Sequence, residues 1–463
     1  MNKVVDSAQE AVSDIRDGAS ILVGGFGVIQ GWPSDLLKAL RDRDVRDLTL
    51  ICNTPGMGPR SPQILAEKGQ VRRLMASFGG YPYMSTATEE QIGNGEIEFE
   101  LIPQGTLVER ARAGGAGIAA FFTPTGVGTE VEKGKEMREI DGRKYLVEQA
   151  IRSDVTFVKA AAGDSDGNLV FRGGGRNFNP AFASAGKLTI AEVEEIVSPG
   201  DLNPEEVVTP GIFVDRVVLT RDKLEGKELE RVLRGIRGEK ESGLPGIGAV
   251  QMAQRTAAFF EAGDYVNLGI GLPTQCSNFL KDRGVTVHAE NGLLGYGGFP
   301  EPGSEDIDVY NAGGQLVTLL DGASCSDSTV AFAMARGGHV DRIVLGGFQV
   351  ASNGDLANWK APHMKAGGVG GAMDLAAGGG ELTALMYHTT KKGESKIVER
   401  CSYPLTAPGC VSRVVTNLAV LAIEPGTGFV LKERAPGVSV DEIRAATAAP
   451  LTVGSDVPEM QLP

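Results

Sequence analysis

Val285-Thr286-Val287-His288-Ala289-Glu290-Asn291-Gly292-Leu293-Leu294-Gly295 reads as an apolar strand that runs straight into a glycine turn. Alternating β-branched residues favour the extended chain, and Asn and Gly favour its end. Glu290 stands at the junction with apolar residues on both sides. A carboxyl held there is open to desolvation, which raises its pKa. The alternative is a surface-loop glutamate, because Asp and Glu are mostly exposed in folded proteins.

The same strand-then-glycine pattern recurs at Val23-Gly24-Gly25-Phe26-Gly27, Asn267-Leu268-Gly269-Ile270-Gly271 and Gly367-Gly368-Val369-Gly370-Gly371-Ala372-Met373-Asp374. Glycine in such turns lets backbone approach a ligand and leaves N–H groups free for an anion or a developing oxyanion. The 64 glycines among 463 residues are about twice the usual share. Tight βα turns with no ligand would account for any one of these segments.

Short apolar runs alternate with amphipathic stretches. Ser20-Ile21-Leu22-Val23, Leu48-Thr49-Leu50-Ile51 and Ile97 to Ile102 read as strands; Pro33 to Arg43 reads as a helix with Leu36, Leu37 and Leu40 on one face. Such alternation implies mainly parallel sheets with ligands at the carboxyl ends of the strands. Asp154 to Leu169 (DVTFVKAAAGDSDGNL) can be laid over Asp341 to Leu356 (DRIVLGGFQVASNGDL) at one constant shift of 187 residues. The chain therefore reads as two related α/β halves, residues 1–220 and 247–463. Between them, 221–246 is charged and then rich in Gly and Pro, as solvated linkers are, and Ile247 to Ala262 has helical spacing.

Composition narrows the function. Apolar content of 42% with 22% charged residues is that of a globular protein, and no run approaches the about 20 apolar residues of a membrane span. The first ten residues resemble neither a secretion signal nor a transit peptide, so a cytoplasmic protein is expected. A net charge of −14 argues against nucleic acid or an anionic membrane as partner. Cys52, Cys276, Cys325, Cys401 and Cys410 form no CxxC pair, and His288, His339, His363 and His388 are scattered, so reduced thiols and no metal are expected. Gly25-Phe26-Gly27 is followed by Gln30 where a dinucleotide fingerprint has its third glycine.

Taken in order, these segments resemble the class I CoA-transferases, most closely the succinyl-CoA:3-oxoacid type. In the first half the likeness rests on Gly24-Gly25-Phe26-Gly27, Pro103-Gln104-Gly105-Thr106-Leu107, Arg112 to Gly117, Thr123-Pro124-Thr125-Gly126 and Arg176-Asn177-Phe178-Asn179. In the second it rests on Asn267 to Gly271, Glu290-Asn291-Gly292, Arg336-Gly337-Gly338-His339, Asp355 to Trp359 and Gly370 to Asp374. The resemblance implies two open, mainly parallel, isomerase-like α/β domains, which are separate subunits in many relatives and fused here. It also implies a homodimer or higher assembly.

The resemblance matches Glu290 to the family nucleophile. Its carboxylate would attack an acyl-CoA thioester to give an acyl–glutamyl anhydride and CoA thiolate; the thiolate would then attack the glutamyl carbonyl, release the acid and leave a glutamyl-CoA thioester for a second acid. No cofactor is required, because coenzyme A arrives as part of the substrate and the exchange is nearly thermoneutral. Each tetrahedral intermediate carries an oxyanion that calls for fixed N–H donors. The resemblance places Asn53 and the backbone N–H of Gly371 in that role and Gln104 at the carboxylate site, with Gly25, Phe26 and Gly27 near the acid. Coenzyme A would meet Gly370, Gly371, Asn291 and Gly292, and its phosphates Lys360 and Lys365, with Arg336 a lesser candidate. The active site should then lie between the halves. Leu293-Leu294 could shield the hydrolysable intermediates, and Arg176 with Asn177 should tie the first half together.

Departures from the family pattern are also visible. His288-Ala289 stands where relatives often have Gln-Ser, Gly314 where near relatives commonly have Lys, and Gly79-Gly80-Tyr81-Pro82-Tyr83-Met84 where Gly-Glu-Asn is usual; Gln30-Gly31-Trp32-Pro33 is bulkier than its counterpart. These bear on the acid pocket. An acyl-CoA hydrolase on the same scaffold, or a non-catalytic CoA-sensing module, are the alternative functions.

Overall fold

The computed structural model describes residues 2–27, 31–81, 85–221, 224 and 243–462. The first sheet is built from β1 (Ser20–Val23), β2 (Leu48–Cys52), β3 (Val71–Ala76), β4 (Glu98–Leu101), β5 (Ser153–Asp164), β6 (Gly186–Val197) and β7 (Arg216–Leu219). Its order is β7-β6-β5-β1-β2-β3-β4, and every one of these neighbours is parallel. Leu169–Val170 pairs antiparallel on the end of β5. Parallel strands covered on both faces should be apolar throughout. Accordingly Ile21, Leu22 and Val23 of β1 are all fully buried.

The second sheet comprises β8 (Tyr265–Leu268), β9 (Thr286–His288), β10 (Leu293–Tyr296), β11 (Leu319–Cys325), β12 (Arg342–Leu345), β13 (Glu381–Leu385), β14 (Val411–Val415), β15 (Ala419–Glu424), β16 (Gly428–Arg434) and β17 (Leu451–Val453). Its order is β11-β10-β9-β8-β12-β13-β14-β15-β16-β17. The middle, from β9 through β14, is parallel. Both flanks are extended by antiparallel strands, and β17 then pairs parallel to β16 at one edge.

The two sheets repeat one device. β1 lies between β5 and β2, as β8 lies between β12 and β9. Asp154 Oδ2 accepts the Ser20 N–H at the start of β1 at 3.0 Å, and Asp341 Oδ2 accepts the Tyr265 N–H at the start of β8 at 2.8 Å. At the other end the Gly24 N–H reaches the Phe157 carbonyl and the Gly269 N–H the Val344 carbonyl, each at 2.8 Å. The two aspartates are those of the sequence overlay, so the repeat read from the chain has a structural basis. Under this correspondence β2 matches β9, and Asn53 and Glu290 both sit just past the carboxyl ends of matched strands.

Three helices matter for the site. α1 (Ser34–Arg41) follows the first glycine turn with Pro33 ahead of it, close to the predicted span. α2 (Gln104–Gly115) follows β4, and α3 (Ser328–Arg336) follows β11. The helix predicted over Ile247 to Ala262 is shorter, Ala249–Ala257. It stops because the Arg283 guanidinium takes the carbonyls of Ala257 and Phe260, at 2.7 and 2.8 Å. Most of the predicted linker, 222–223 and 225–242, lies outside the described residues.

One apolar core crosses from half to half: Leu107, Phe178 and Phe182 of the first belong to the same cluster as Leu293, Phe332 and Met386 of the second. A second cluster, with Leu36, Leu37, Leu40 and Phe157, covers the other face of the first sheet. Polar contacts reinforce the junction. Gly174 N–H donates to the Asp308 carbonyl at 2.7 Å, and Tyr310 Oη to the Gly174 carbonyl at 3.0 Å. Arg176 and Asn177, expected to hold the first half together, also join the halves: Arg176 Nη1 donates to the Cys325 carbonyl at 2.7 Å, and the Asn177 carbonyl accepts the Ser328 N–H at 3.0 Å. The reason is that the Arg172–Asn179 segment faces the end of β11 and the start of α3 rather than its own sheet alone.

Candidate active site

β9 delivers Glu290 on a tight hairpin. The Ala289 N–H bonds to the Leu293 carbonyl at 2.8 Å and the Gly292 N–H to the Ala289 carbonyl at 3.0 Å, so Glu290 and Asn291 form the tip between β9 and β10. Gly292 has φ +108°, and a Cβ there would overlap the Ser326 carbonyl oxygen. Only glycine fits that corner. Asn291 is fully buried and donates Nδ2 to the Tyr310 carbonyl at 2.6 Å, which anchors the turn.

Glu290 is 6% exposed, so the surface-loop alternative fails. Its Oε2 is buried without a hydrogen-bond partner among the described residues. Burial pushes its pKa up to about 7; a backbone N–H and the nearby Asn267 side chain oppose the rise, and the Asp374 charge adds to it. A carboxyl with one oxygen left bare, in no ion pair among the described residues and poised near neutrality, is the state expected of a reactive group rather than of a structural ion pair.

Asn267 at β8 donates Nδ2 to His288 Nδ1 at 3.0 Å, while His288 Nε2 meets the Ala331 carbonyl at 3.0 Å. The carbonyl requires the proton on Nε2, so Nδ1 is the acceptor. Burial brings the His288 pKa down to about 4, and the ring is neutral. In the sequence His288 was one of four scattered histidines weighed against a metal site, and this support beneath the nucleophile candidate was missed.

The first half brings its residues to the same place. Gln104 Nε2 donates to Asn53 Oδ1 at 2.8 Å, and both residues are buried. That bond occupies the Asn53 oxygen and leaves its Nδ2 available as a donor. The Gln104 backbone N–H, at the start of α2, reaches the Gly370 carbonyl at 3.0 Å. A Cβ on Gly371 would stand 3.2 Å from Gln104 Oε1, 3.2 Å from Glu290 Cγ and 3.0 Å from Phe332 Cε1. Asn53, Gln104, Gly371 and Glu290, spread over more than half the chain, are thus one contiguous group across the junction.

Asp374 fixes this group. It is fully buried and accepts the Gly105 N–H at 2.9 Å, Thr125 Oγ1 at 3.0 Å and Arg336 Nη1 at 3.5 Å. Burial raises its pKa and Arg336 opposes the rise. The sequence offered Asp374 only as the end of a motif. Arg336, a lesser candidate for phosphate, is engaged here instead.

The remaining expected residues each have their own surroundings. Phe26 is in the core, stacked on Phe178 with ring centroids 5.9 Å apart, and Gly25, at φ +125°, backs onto the Trp32 ring. Gly27 is an open turn with φ +80°. Lys365 pairs with Glu90, and its backbone N–H bonds to Glu89 Oε1 at 3.1 Å; Lys360 borders the Gly367 turn. Leu293 is fully buried below the hairpin, whereas Leu294 is half-buried.

The buried group of Glu290, Asn53, Gln104 and Gly371 lies between two halves built on parallel strands, and the chain belongs to the coenzyme A transferase family. The family described as Coenzyme A transferase matches residues 5–220 and 250–446. The chain is 40% identical to the human mitochondrial succinyl-CoA:3-ketoacid coenzyme A transferase 2, over 98% of this chain and 90% of that protein. Its first half is 46% identical to one of the separate subunits of the succinyl-CoA:3-ketoacid coenzyme A transferase of Helicobacter pylori (strain J99), over 47% of this chain and 92% of that polypeptide. A further 44% of the chain is 50% identical to one of the subunits of 3-oxoadipate CoA-transferase from Pseudomonas putida, covering 96% of it. The fold matches an acyl-CoA transferase from E. coli O157:H7, solved as a thioester complex with CoA, with a TM-score of 0.80 at 23% identity over 99% of this chain and 95% of that one. The protein is an enzyme of this family. Among the described residues no helix is long and apolar enough to cross a membrane.

Proposed function

We propose that the protein moves coenzyme A between an acyl-CoA, succinyl-CoA foremost, and a 3-oxoacid by a ping-pong route through Glu290. The observation that carries this reading is the contact group at Gly371, which brings Glu290 Cγ and Gln104 Oε1 against one small residue. Glu290, ionised, attacks the thioester carbonyl; the carbonyl electron pair moves to oxygen and returns as CoA thiolate leaves, giving the mixed anhydride. CoA thiolate then attacks the glutamyl carbonyl, the acyl carboxylate departs, and the glutamyl-CoA thioester remains for the second acid. Asn53 Nδ2 and the Gly371 N–H, which donates to no described residue, hold the oxyanions. Gln104 aligns Asn53 and borders the departing carboxylate. Asp374 and Asn291 position, the first by holding α2 and the glycine loop together, the second by anchoring the hairpin.

Coenzyme A would run over the Gly367 to Gly371 turn, with Lys360 the cation at hand for a phosphate. Burial of the hairpin excludes water from the anhydride and the thioester. Initial rates test the reading: succinyl-CoA varied against acetoacetate should give parallel double-reciprocal lines. Free acid and CoA released at the same rate without any acceptor would instead identify a hydrolase.

A further inference from the structure

Asn267 heads one of the strand-then-glycine segments, yet the transfer route gives it no part. It lies in β8, in parallel register with His288 of β9, so the two side chains leave the sheet on one face. Both residues are buried. α3 lies against them: the Ala331 carbonyl accepts from His288 Nε2 at 3.0 Å, and the ring of the next residue, Phe332, borders Gly371. Glu290 follows two residues after His288, and the Asn267 side chain is close enough to its carboxylate to favour the ionised form.

Hydrogen bonds fix which end of the Asn267 amide faces the nucleophile. With its proton on Nε2, the His288 ring offers only a lone pair at Nδ1. Asn267 Nδ2 donates to that nitrogen at 3.0 Å and to the His288 carbonyl at 3.3 Å. Turned over, the amide would set its oxygen against both acceptors. The orientation leaves Asn267 Oδ1 buried without a hydrogen-bond partner among the described residues, a cost that the two His288 acceptors impose. Nδ2 carries a second hydrogen, and an N–H turned toward a carboxylate stabilises its charge. The other groups facing Glu290 give no such help. Asp374, itself paired with Arg336, works against ionisation, while burial keeps the Tyr296 hydroxyl and the His288 ring neutral. Among the described residues, Asn267 is thus the side chain that favours the carboxylate.

We propose that His288, acting through Asn267, is a positioning residue: it keeps an amide N–H rather than an amide oxygen turned toward Glu290, and so holds the nucleophile ionised for attack on the thioester. This rests on the transfer reading above. The ring never gives or takes a proton in the reaction; its Nδ1 lone pair orients the amide, and α3 orients the ring through the Ala331 carbonyl.

The test mixes the full chain with acetoacetyl-CoA at pH values from about 5 to about 8, quenches at intervals, and follows the CoA adduct by intact mass. Rates are taken on the fraction that finally loads, which excludes misfolded material. Substitutions at 288 separate the two ring nitrogens. Asparagine sets its Oδ1 where Nδ1 stands, so it still accepts from Asn267 but does not reach Ala331. Glutamine reaches Ala331 from where Nε2 stands and offers Asn267 no acceptor at the Nδ1 position. His288→Asn should therefore keep the acid limb of the loading rate where wild type has it. His288→Gln and Asn267→Leu should move it up by about one pH unit, so that loading slows about tenfold below the limb and much less above it. The reverse pattern, with His288→Gln like wild type and His288→Asn displaced, would make the ring a tie between β9 and α3 and overturn the proposal. So would limbs that move alike in both His288 variants or in neither, or a slowing that is equal at every pH. A wild-type chain that never loads overturns the transfer reading and this proposal with it, whereas loading with unmoved limbs overturns only the proposal.

Discussion

At the scale of single residues, the chemistry turns on how Glu290 is desolvated. Its pKa near 7 comes first from burial. The nucleophile is the ionised form, so kcat/KM for acyl-CoA should fall about tenfold per pH unit below the midpoint, with an acid limb near neutrality. A limb near pH 4.5 would contradict the buried setting. Stability runs the other way. A group whose folded pKa is raised contributes stability that is fully present below its unfolded value, 4.5, and is lost as pH rises through about 7. Glu290→Gln carries no such loss, so it should melt above wild type at pH 8 and match it near pH 5. His288 titrates alike in both proteins and drops out of the comparison. Asn53→Ala should lower kcat by about 10²–10³ with substrate affinity little changed, the usual effect of removing an oxyanion donor. Glu290 was legible as an acid in an odd place because its neighbours are apolar. The roles of His288 and Asp374 were not, because hydrogen bonds to the Ala331 carbonyl and the Gly105 N–H are made across 43 and 269 residues.

At the scale of elements, two glycines separate scaffold from chemistry. Gly292→Ala forces a Cβ onto the Ser326 carbonyl at φ +108°, so it should lower Tm by many degrees or abolish folding. Gly371→Ala meets ordinary side-chain atoms at 3.0–3.2 Å and has no positive φ, so thermal melting should show a mostly retained fold while turnover drops at least about 100-fold. Equal effects on Tm and turnover at both glycines would show that neither is specific to the site. Strands were the best-read elements: Ser20–Val23 is as predicted, and Leu48–Cys52 differs by one residue, because buried parallel strands are mostly apolar and β-branched. The helix after 247 was read too long because its stop is the Arg283 side chain, well beyond the helix in sequence, rather than a local breaker. Gly25, Phe26 and Gly27 were read as near the acid; the Phe26 ring packs in the core on Phe178, and a motif cannot say which way its aromatic points.

At the scale of the molecule, the halves are held by a shared apolar core and by backbone bonds at the Phe78–Gly368 bridge, Gln104 to Gly370 and Gly174 to Asp308. None of these requires the covalent connection through 225–242. Residues 1–224 and 243–463 produced as two chains in one cell should therefore co-purify and retain turnover within a few-fold of the fused enzyme. Recovery of only separate, inactive halves would show that the connection itself is needed. The repeat was legible because Asp154 and Asp341 perform the same task at matching strand starts. The Arg176–Asn177 link between halves was not, since nothing local distinguishes a segment that faces its own sheet from one that faces the other.

The most direct test is the intact mass of the protein after incubation with acetoacetyl-CoA or succinyl-CoA, with and without borohydride, for wild type and for freshly purified, undeamidated Glu290→Gln. A glutamyl-CoA thioester requires an adduct of CoA mass on wild type that borohydride abolishes and that Glu290→Gln never forms. An adduct that persists in Glu290→Gln, or no adduct on wild type despite acyl-CoA binding, would contradict transfer through Glu290.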